Sequence, residues 1–142
     1  NNHLTLRTSV VGPELKSDGG ELFNWFMSQT TCIDGYSNAI WSGVTTIELA
    51  KAVNWSITNN ITGLYHITNN QSISKNDLLN LFKKHTKKAI DIKSIEGNET
   101  NKFFIDSRKL IDYEIPSYDE MIYDMVKFIS KNSSIYPQYN ID

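Results

Sequence analysis

Apolar and polar positions along this chain alternate between a period of two and a period near 3.6, and the switches mark its elements. "HLTLRTSVVGPE" begins with apolar residues two apart and β-branched residues, then meets Gly12-Pro13, which predicts a strand closed by a turn. After "KSDGG", the stretch "ELFNWFMSQ" places Leu22, Phe23 and Phe26 on one face of a short helix. "TTCIDGY" reads as a short strand or extended segment. "TGLYHITN" reads as a strand with Gly63 at its mouth, and "AIDIKSIEG" as another through Ile90, Ile92 and Ile95.

Three helix starts are legible from their caps. Thr45 and Glu48 form a capping box in "VTTIELAKAVNWSI", with Val44 and Leu49 at the two positions of a hydrophobic staple. In "ISKNDLLNLFKKH" Ser74 caps, Asp77 offers a carboxylate, and Ile73 can staple to Leu78. In "PSYDEMIYDMVKFISKN" Pro116 precedes the cap Ser117, and Glu120 closes the box. Each cap satisfies backbone N–H groups that the first turn leaves orphaned, typically for ~1 kcal/mol. Strands alternating with about four helices predict an α/β class with some parallel pairing.

Composition narrows the function classes. A chain of 142 residues suits one domain with a modest core, and 39% hydrophobic with 21% charged residues is globular. The net charge of −2 argues against a broad grip on nucleic acid or an anionic membrane. The basic run Lys83 to Lys88 reads as a solvated helix C-terminus, since no aromatic is interleaved with its lysines. Cys32 is the only cysteine, so no intrachain disulfide forms and a reducing, cytoplasmic setting is expected, with the thiol buried or half-buried. No apolar run reaches the ~20 residues of a membrane span. The Asn-x-Ser/Thr triplets at Asn54 and Asn98 are expected from an Asn-, Ser- and Thr-rich composition.

One pair invites a catalytic reading. Tyr123 precedes Lys127 by four residues, the spacing of a proton-donating pair in many nicotinamide-dependent reductases. At ~100° per residue, however, Tyr118, Met121, Ile122, Met125, Phe128 and Ile129 gather on one face. Tyr123 and Lys127 fall on the opposite, solvated face beside Asp119, Glu120 and Asp124. The chain also carries no glycine loop joining a strand to a helix, which dinucleotide phosphates require. Tyr123 and Lys127 are bystanders.

Four stretches nonetheless share an order and spacing with one enzyme group. "LRTSVVGPEL" (Leu6 to Leu15) resembles the strand and loop that follow the catalytic helix of extended short-chain dehydrogenases/reductases. "WSGVTTIELAKAV" (Trp41 to Val53) resembles the "G-x-P-T-x-x-x-D-L-A" segment of dTDP-4-dehydrorhamnose reductases. "GLYHITNNQSISKNDLLNLF" is similar to their strand, loop and capped helix, and "SRKLIDYEIPSYDEMI" to the segment entering their last helix.

The resemblance implies the C-terminal, substrate-binding part of an extended Rossmann-type nucleotide-sugar reductase. Such an enzyme acts in deoxysugar or cell-surface polysaccharide biosynthesis. Its glycine loop and catalytic Tyr–Lys pair would lie upstream of Asn1, so the chain alone would hold no NADPH or NADH and be inactive. Residue by residue, Thr8, Ser9, Val10 and Val11 would face the cleft, Thr8 and Ser9 bordering the nicotinamide. Trp41, Ser42, Gly43 and Thr45, within the stretch to Thr46, would wall the nucleotide-sugar pocket. Residues 1–12 and 63–69 would be strands of the parent cofactor-binding sheet. Cut from it, they are expected to pair with each other or with a second copy in a homodimer. The family's usual "RTSWVYG" is "RTSVVG" here and its "G-x-P-T" is "GVTT", which leaves the sugar open.

Other residues carry two readings each. Arg7 could grip a diphosphate, anchor a buried carboxylate or reach the surface. Trp41 could stack on a sugar or base, or close the edge of the core. His66, among Leu64, Tyr65 and Ile67, reads as a hydrogen-bonded structural histidine, and His3 and His85 share no metal-ligand spacing with other donors. From a different class comes a second hypothesis, a stand-alone, non-catalytic α/β module that binds a sugar nucleotide or a protein partner. An upstream reading frame with a glycine loop and a Tyr-x-x-x-Lys would decide for the reductase.

Overall fold

The computed structural model describes residues 3–106 and 112–141. The opening strand is broken in two, β1 (Leu4–Arg7) and β2 (Val10–Val11), because the chain changes partner at Thr8. There the threonine hydroxyl bonds the carbonyl of Ile67 at 2.8 Å. Then come α1 (Leu22–Ser28), β3 (Ile33–Tyr36), β4 (Ala39–Trp41), β5 (Val44–Thr45), α2 (Thr46–Thr58) and β6 (Gly63–His66). β7 (Ile73–Ser74), α3 (Lys75–Thr86), β8 (Ile92–Ile95), β9 (Thr100–Lys102) and α4 (Tyr118–Lys131) complete the order. The first five residues of "SRKLIDYEIPSYDEMI", 107–111, lie outside the described residues.

Parallel pairing dominates, since the strands that pair are mostly separated in sequence by helices or long connections. β1 pairs with β6 (Leu4↔Gly63 to Arg7↔His66), β2 with β5 and β3 with β8, all parallel. β4 lies between antiparallel β7 and parallel β9. The two strands expected to belong to a larger sheet thus pair with each other. Gly63 opens β6 at a φ of +112°, a conformation that a side chain would strain.

Two clusters form the core. The larger one packs Phe23 and Phe26 of α1, Leu78, Leu79 and Phe82 of α3 and Ile122, Met125 and Ile129 of α4. Phe23 meets Phe82 edge-on with ring centroids 5.1 Å apart. In the smaller cluster Val44, Ala52, Ile67, Tyr118 and Met121 join α2 and α4 to the inner face of β1–β6, where Leu6 packs. The apolar face of α4 differs at two positions from the periodic reading. Val126 is buried, bridging Ile122 and Ile129 at helical spacing, whereas Phe128 is 38% exposed and rests its ring on Tyr136.

The caps are made as the pattern requires, with one exception. Thr45, Ser74 and Ser117 each accept the backbone N–H three residues on, and Ser117–Glu120 is a full capping box. Glu48 does not close its box. Its carboxylate is buried and accepts the Tyr113 hydroxyl at 2.6 Å, with Lys51 at 3.6 Å. Cys32 is exposed rather than buried, because it precedes β3 and the inward position passes to Ile33. Among the described residues no helix is long and apolar enough to cross a membrane.

Candidate functional site

The two stretches singled out in sequence, 8–11 and 41–46, meet side by side. β2 and β5 pair Val10 with Val44 and Val11 with Thr45, and the Val44 N–H donates to the Ser9 carbonyl at 2.9 Å. Across this seam the Trp41 indole Nε1–H donates to the Ser9 hydroxyl oxygen at 2.7 Å. Gly43 makes the approach possible, since a Cβ there would run into the Ser9 carbonyl and the Trp41 ring. Glycine is needed here for room.

Burial divides the candidate residues. Val11, Ser42, Gly43, Val44 and Thr45 lie inside. The Ser42 hydroxyl clasps the backbone of Phe104, accepting its N–H at 3.0 Å and donating to its carbonyl at 3.3 Å. Thr45 is the cap of α2. Trp41 is half-buried at the edge of both core clusters, its ring 6.0 Å from that of Tyr118. The outward residues are Thr8, Ser9, Val10 and Thr46, which with Gly12, Pro13, Glu14 and Glu21 line a cleft of about 410 Å³.

The far lip of that cleft escaped the sequence reading. Residues 12–21 form no regular element, and nothing in their periodicity marks them. They are held from the other end of the chain: the Tyr139 hydroxyl accepts the Glu14 N–H at 3.0 Å, and Gln138 Nε2 donates to the Glu14 carbonyl at 2.6 Å. The Glu14 carboxylate accepts the Glu21 N–H through Oε1 at 3.3 Å, while Oε2 is buried without a hydrogen-bond partner among the described residues. The cleft therefore combines hydroxyls, an apolar valine and an acceptor carboxylate, a lining suited to a hydroxyl-rich ligand.

A larger polar cleft of about 630 Å³ lies between residues 68–71 and 113–117, with Glu120 at its edge. Tyr118 donates to the Gln71 carbonyl there at 2.8 Å, and burial raises its phenol pKa. Beside it, burial and the Glu48 carboxylate hold Tyr113 firmly protonated. This half-buried Tyr–Glu pair spans 65 residues of sequence and has no local signature.

Tyr123 and Lys127 lie outside both clefts. Tyr123 is 50% exposed with the Lys127 ammonium 5.4 Å from its ring centroid, and the other face of that ring's helix carries the core. His66 bonds the Ile105 carbonyl through Nδ1 at 3.0 Å, the structural role read from sequence. Among the described residues no three His, Cys, Asp or Glu side chains gather as a metal site would require.

No protein-family model matches the sequence, and neither does any curated protein. Solved structures do share the fold. A dTDP-4-dehydrorhamnose reductase from Bacillus anthracis, in complex with NADP, superimposes with a TM-score of 0.74 at 17% identity, over 93% of this chain and 49% of that one. A UDP-N-acetylglucosamine 4-epimerase from Methanobrevibacter ruminantium, in complex with UDP-N-acetylmuramic acid, gives 0.64 at 20% identity, over 90% and 46%. A dTDP-glucose 4,6-dehydratase from Bacillus anthracis, in complex with NAD, gives 0.65 at 13%, over 95% and 47%. The chain shares the fold of part of each of these enzymes and spans just under half the length of each.

Proposed function

We propose that this chain is the substrate-side wall of an NAD(P)H-dependent nucleotide-sugar reductase of the dTDP-4-dehydrorhamnose reductase kind. The observation that carries the reading is the convergence of 8–12 with 41–46 through the β2–β5 pairing and the Trp41–Ser9 bond. The likeness to enzymes whose structures hold NADP, NAD or a UDP-sugar supports it. In this reading Ser9, Val10 and Thr46 touch the sugar nucleotide, and Trp41, Ser42, Gly43 and Thr45 fix the wall from behind. Thr8 and Ser9 sit toward the nicotinamide. Hydride and proton donors come from a second, dinucleotide-binding half, and the products belong to deoxysugar synthesis in the cytoplasm.

The open edge of β1 supports the need for a second half. The His3 carbonyl accepts the N–H of Gly63 in β6 at 2.8 Å, and the Arg7 carbonyl that of Ile67, just past β6, at 2.9 Å. In a parallel ladder successive residues face opposite neighbours, so Leu4 and Leu6 turn their backbone groups to the edge that has no strand among the described residues. The test is direct: NADPH and a dTDP-4-keto sugar mixed with the chain alone give no NADPH oxidation. Turnover by the chain alone would refute the division of labour.

A further inference from the structure

The lip of the substrate cleft, residues 12–21, has no strand or helix to hold it until α1 begins, and loops of that kind open at little cost in free energy. Its entry is pressed against α2, since a Cβ on Gly12 would run into the Thr46 side chain. Among the described residues, the bonds that close residues 14–21 on themselves and on α1 are all local. The Glu14 carboxylate accepts the Glu21 N–H, the Gly19 N–H reaches the Lys16 carbonyl, and the buried Asn24 amide holds the Ser17 and Gly19 carbonyls. Such bonds fix the loop's shape and its exit into α1, but not where Pro13 and Glu14 lie beside the cleft.

That position comes from two side chains 124 and 125 residues away in sequence. Gln138 Nε2 donates to the Glu14 carbonyl at 2.6 Å, and the Glu14 N–H donates to the Tyr139 hydroxyl oxygen at 3.0 Å. Both backbone groups of Glu14 are thereby satisfied as a neighbouring strand would satisfy them. Tyr139 is no surface tether. It is 5% exposed, belongs to the larger core cluster and meets Phe23 edge-on with ring centroids 5.3 Å apart. Its hydroxyl therefore marks a point that the core holds fixed.

We propose that Tyr139 and Gln138 are positioning residues for the cleft, setting the lip at Glu14 and, through it, the affinity for a sugar nucleotide. The inference rests on the reading of this cleft as the nucleotide-sugar wall. Neither residue lines the cleft, so neither acts by touching the ligand. A lip displaced for part of the time lowers apparent affinity by the fraction of molecules left competent.

The experiment follows the labelled chain by NMR with dTDP-glucose as the probe. Tyr139→Phe keeps the ring against Phe23 and removes only the acceptor. The Glu14 amide should then shift and exchange faster, while α3 and α4 keep the parent's chemical shifts. Binding should weaken roughly threefold to fivefold, and about tenfold or more when Gln138→Ala is added, the worth of one and then two neutral hydrogen bonds. Tyr136→Phe is the control from the same segment, for its hydroxyl bonds nothing among the described residues. It should leave both the Glu14 amide and the affinity unchanged. Equal affinity in the parent and the double variant, with the parent's cleft amides saturating, would overturn the positioning role and leave the wall reading standing. A Glu14 amide as protected in Tyr139→Phe as in the parent, or an equal loss of affinity in Tyr136→Phe, would overturn it as well. No saturable response at the parent's cleft would sink both.

Discussion

The helical body and the β1–β6 ribbon solve the same problem in opposite ways. In the body, α1, α3 and α4 bury their apolar faces against one another, and each of the longer two starts with a side-chain cap. The ribbon buries one face on α2 and α4, through Leu6 and Ile67, and leaves the other open with Leu64 40% exposed. It also keeps a strand edge that has no partner strand among the described residues. The body is closed and the ribbon unfinished, which is why the functional reading assigns stability to the first and assembly to the second.

The largest way to test the contrast is to empty the body. Phe82→Ala removes a fully buried ring that touches Phe23 and Phe26, and should cost ~3–5 kcal/mol in denaturant unfolding. An equally large loss from an outer-face ribbon change such as Leu64→Ala would erase the distinction. Next is the half-buried pair that ties α2 to the segment before α4. Tyr113→Phe should cost ~1–3 kcal/mol by leaving Glu48 without its donor. The sign with pH is fixed: the folded phenol pKa lies above its ordinary value of 10.0. Its stabilisation is complete below that value and lost as pH rises beyond it, so the phenylalanine variant should show a shallower alkaline limb.

Smaller effects sharpen the comparison. Ser117→Ala should cost ~1 kcal/mol by undoing the α4 capping box. Asp119 ties α4 to α3 through Lys84 at 2.6 Å and His85 at 2.9 Å. Chiefly the Lys84 contact, then His85, holds its carboxyl below the ordinary value of 3.8. That contribution is present above 3.8 and lost as pH falls through the lowered value. Asp119→Asn should therefore flatten the acid limb, by under ~1 kcal/mol for so exposed a pair. Hydrogen exchange reads the ribbon without any substitution: the Ile67 amide, bonded to Arg7, should be protected while those of Leu4 and Leu6 exchange fast.

Much of the body was legible because its signals are local. Caps at Thr45, Ser74 and Ser117 and the spacing of Met121, Ile122, Met125 and Ile129 are written within single helices. Phe128 was misplaced because helical angle alone does not say where the C-terminal segment returns, and Tyr136 meets that ring at the rim. Glu48 was assigned to its cap because its true partner, Tyr113, is distant in sequence. The two walls of the cleft were found through resemblance to a family. Its lip, 12–21 pinned by Gln138 and Tyr139, depends on contacts between the chain's two ends and leaves no pattern in either.

The central claim is that a sugar nucleotide rests against Ser9, Val10 and Thr46. Titrating the labelled chain with a dTDP-sugar and following its backbone amides tests this most directly. The account predicts saturable shifts at 8–12, 41–46 and the Trp41 indole N–H, and none along Tyr123–Lys127. Saturation confined to another surface, or no saturable response at the cleft, would contradict it.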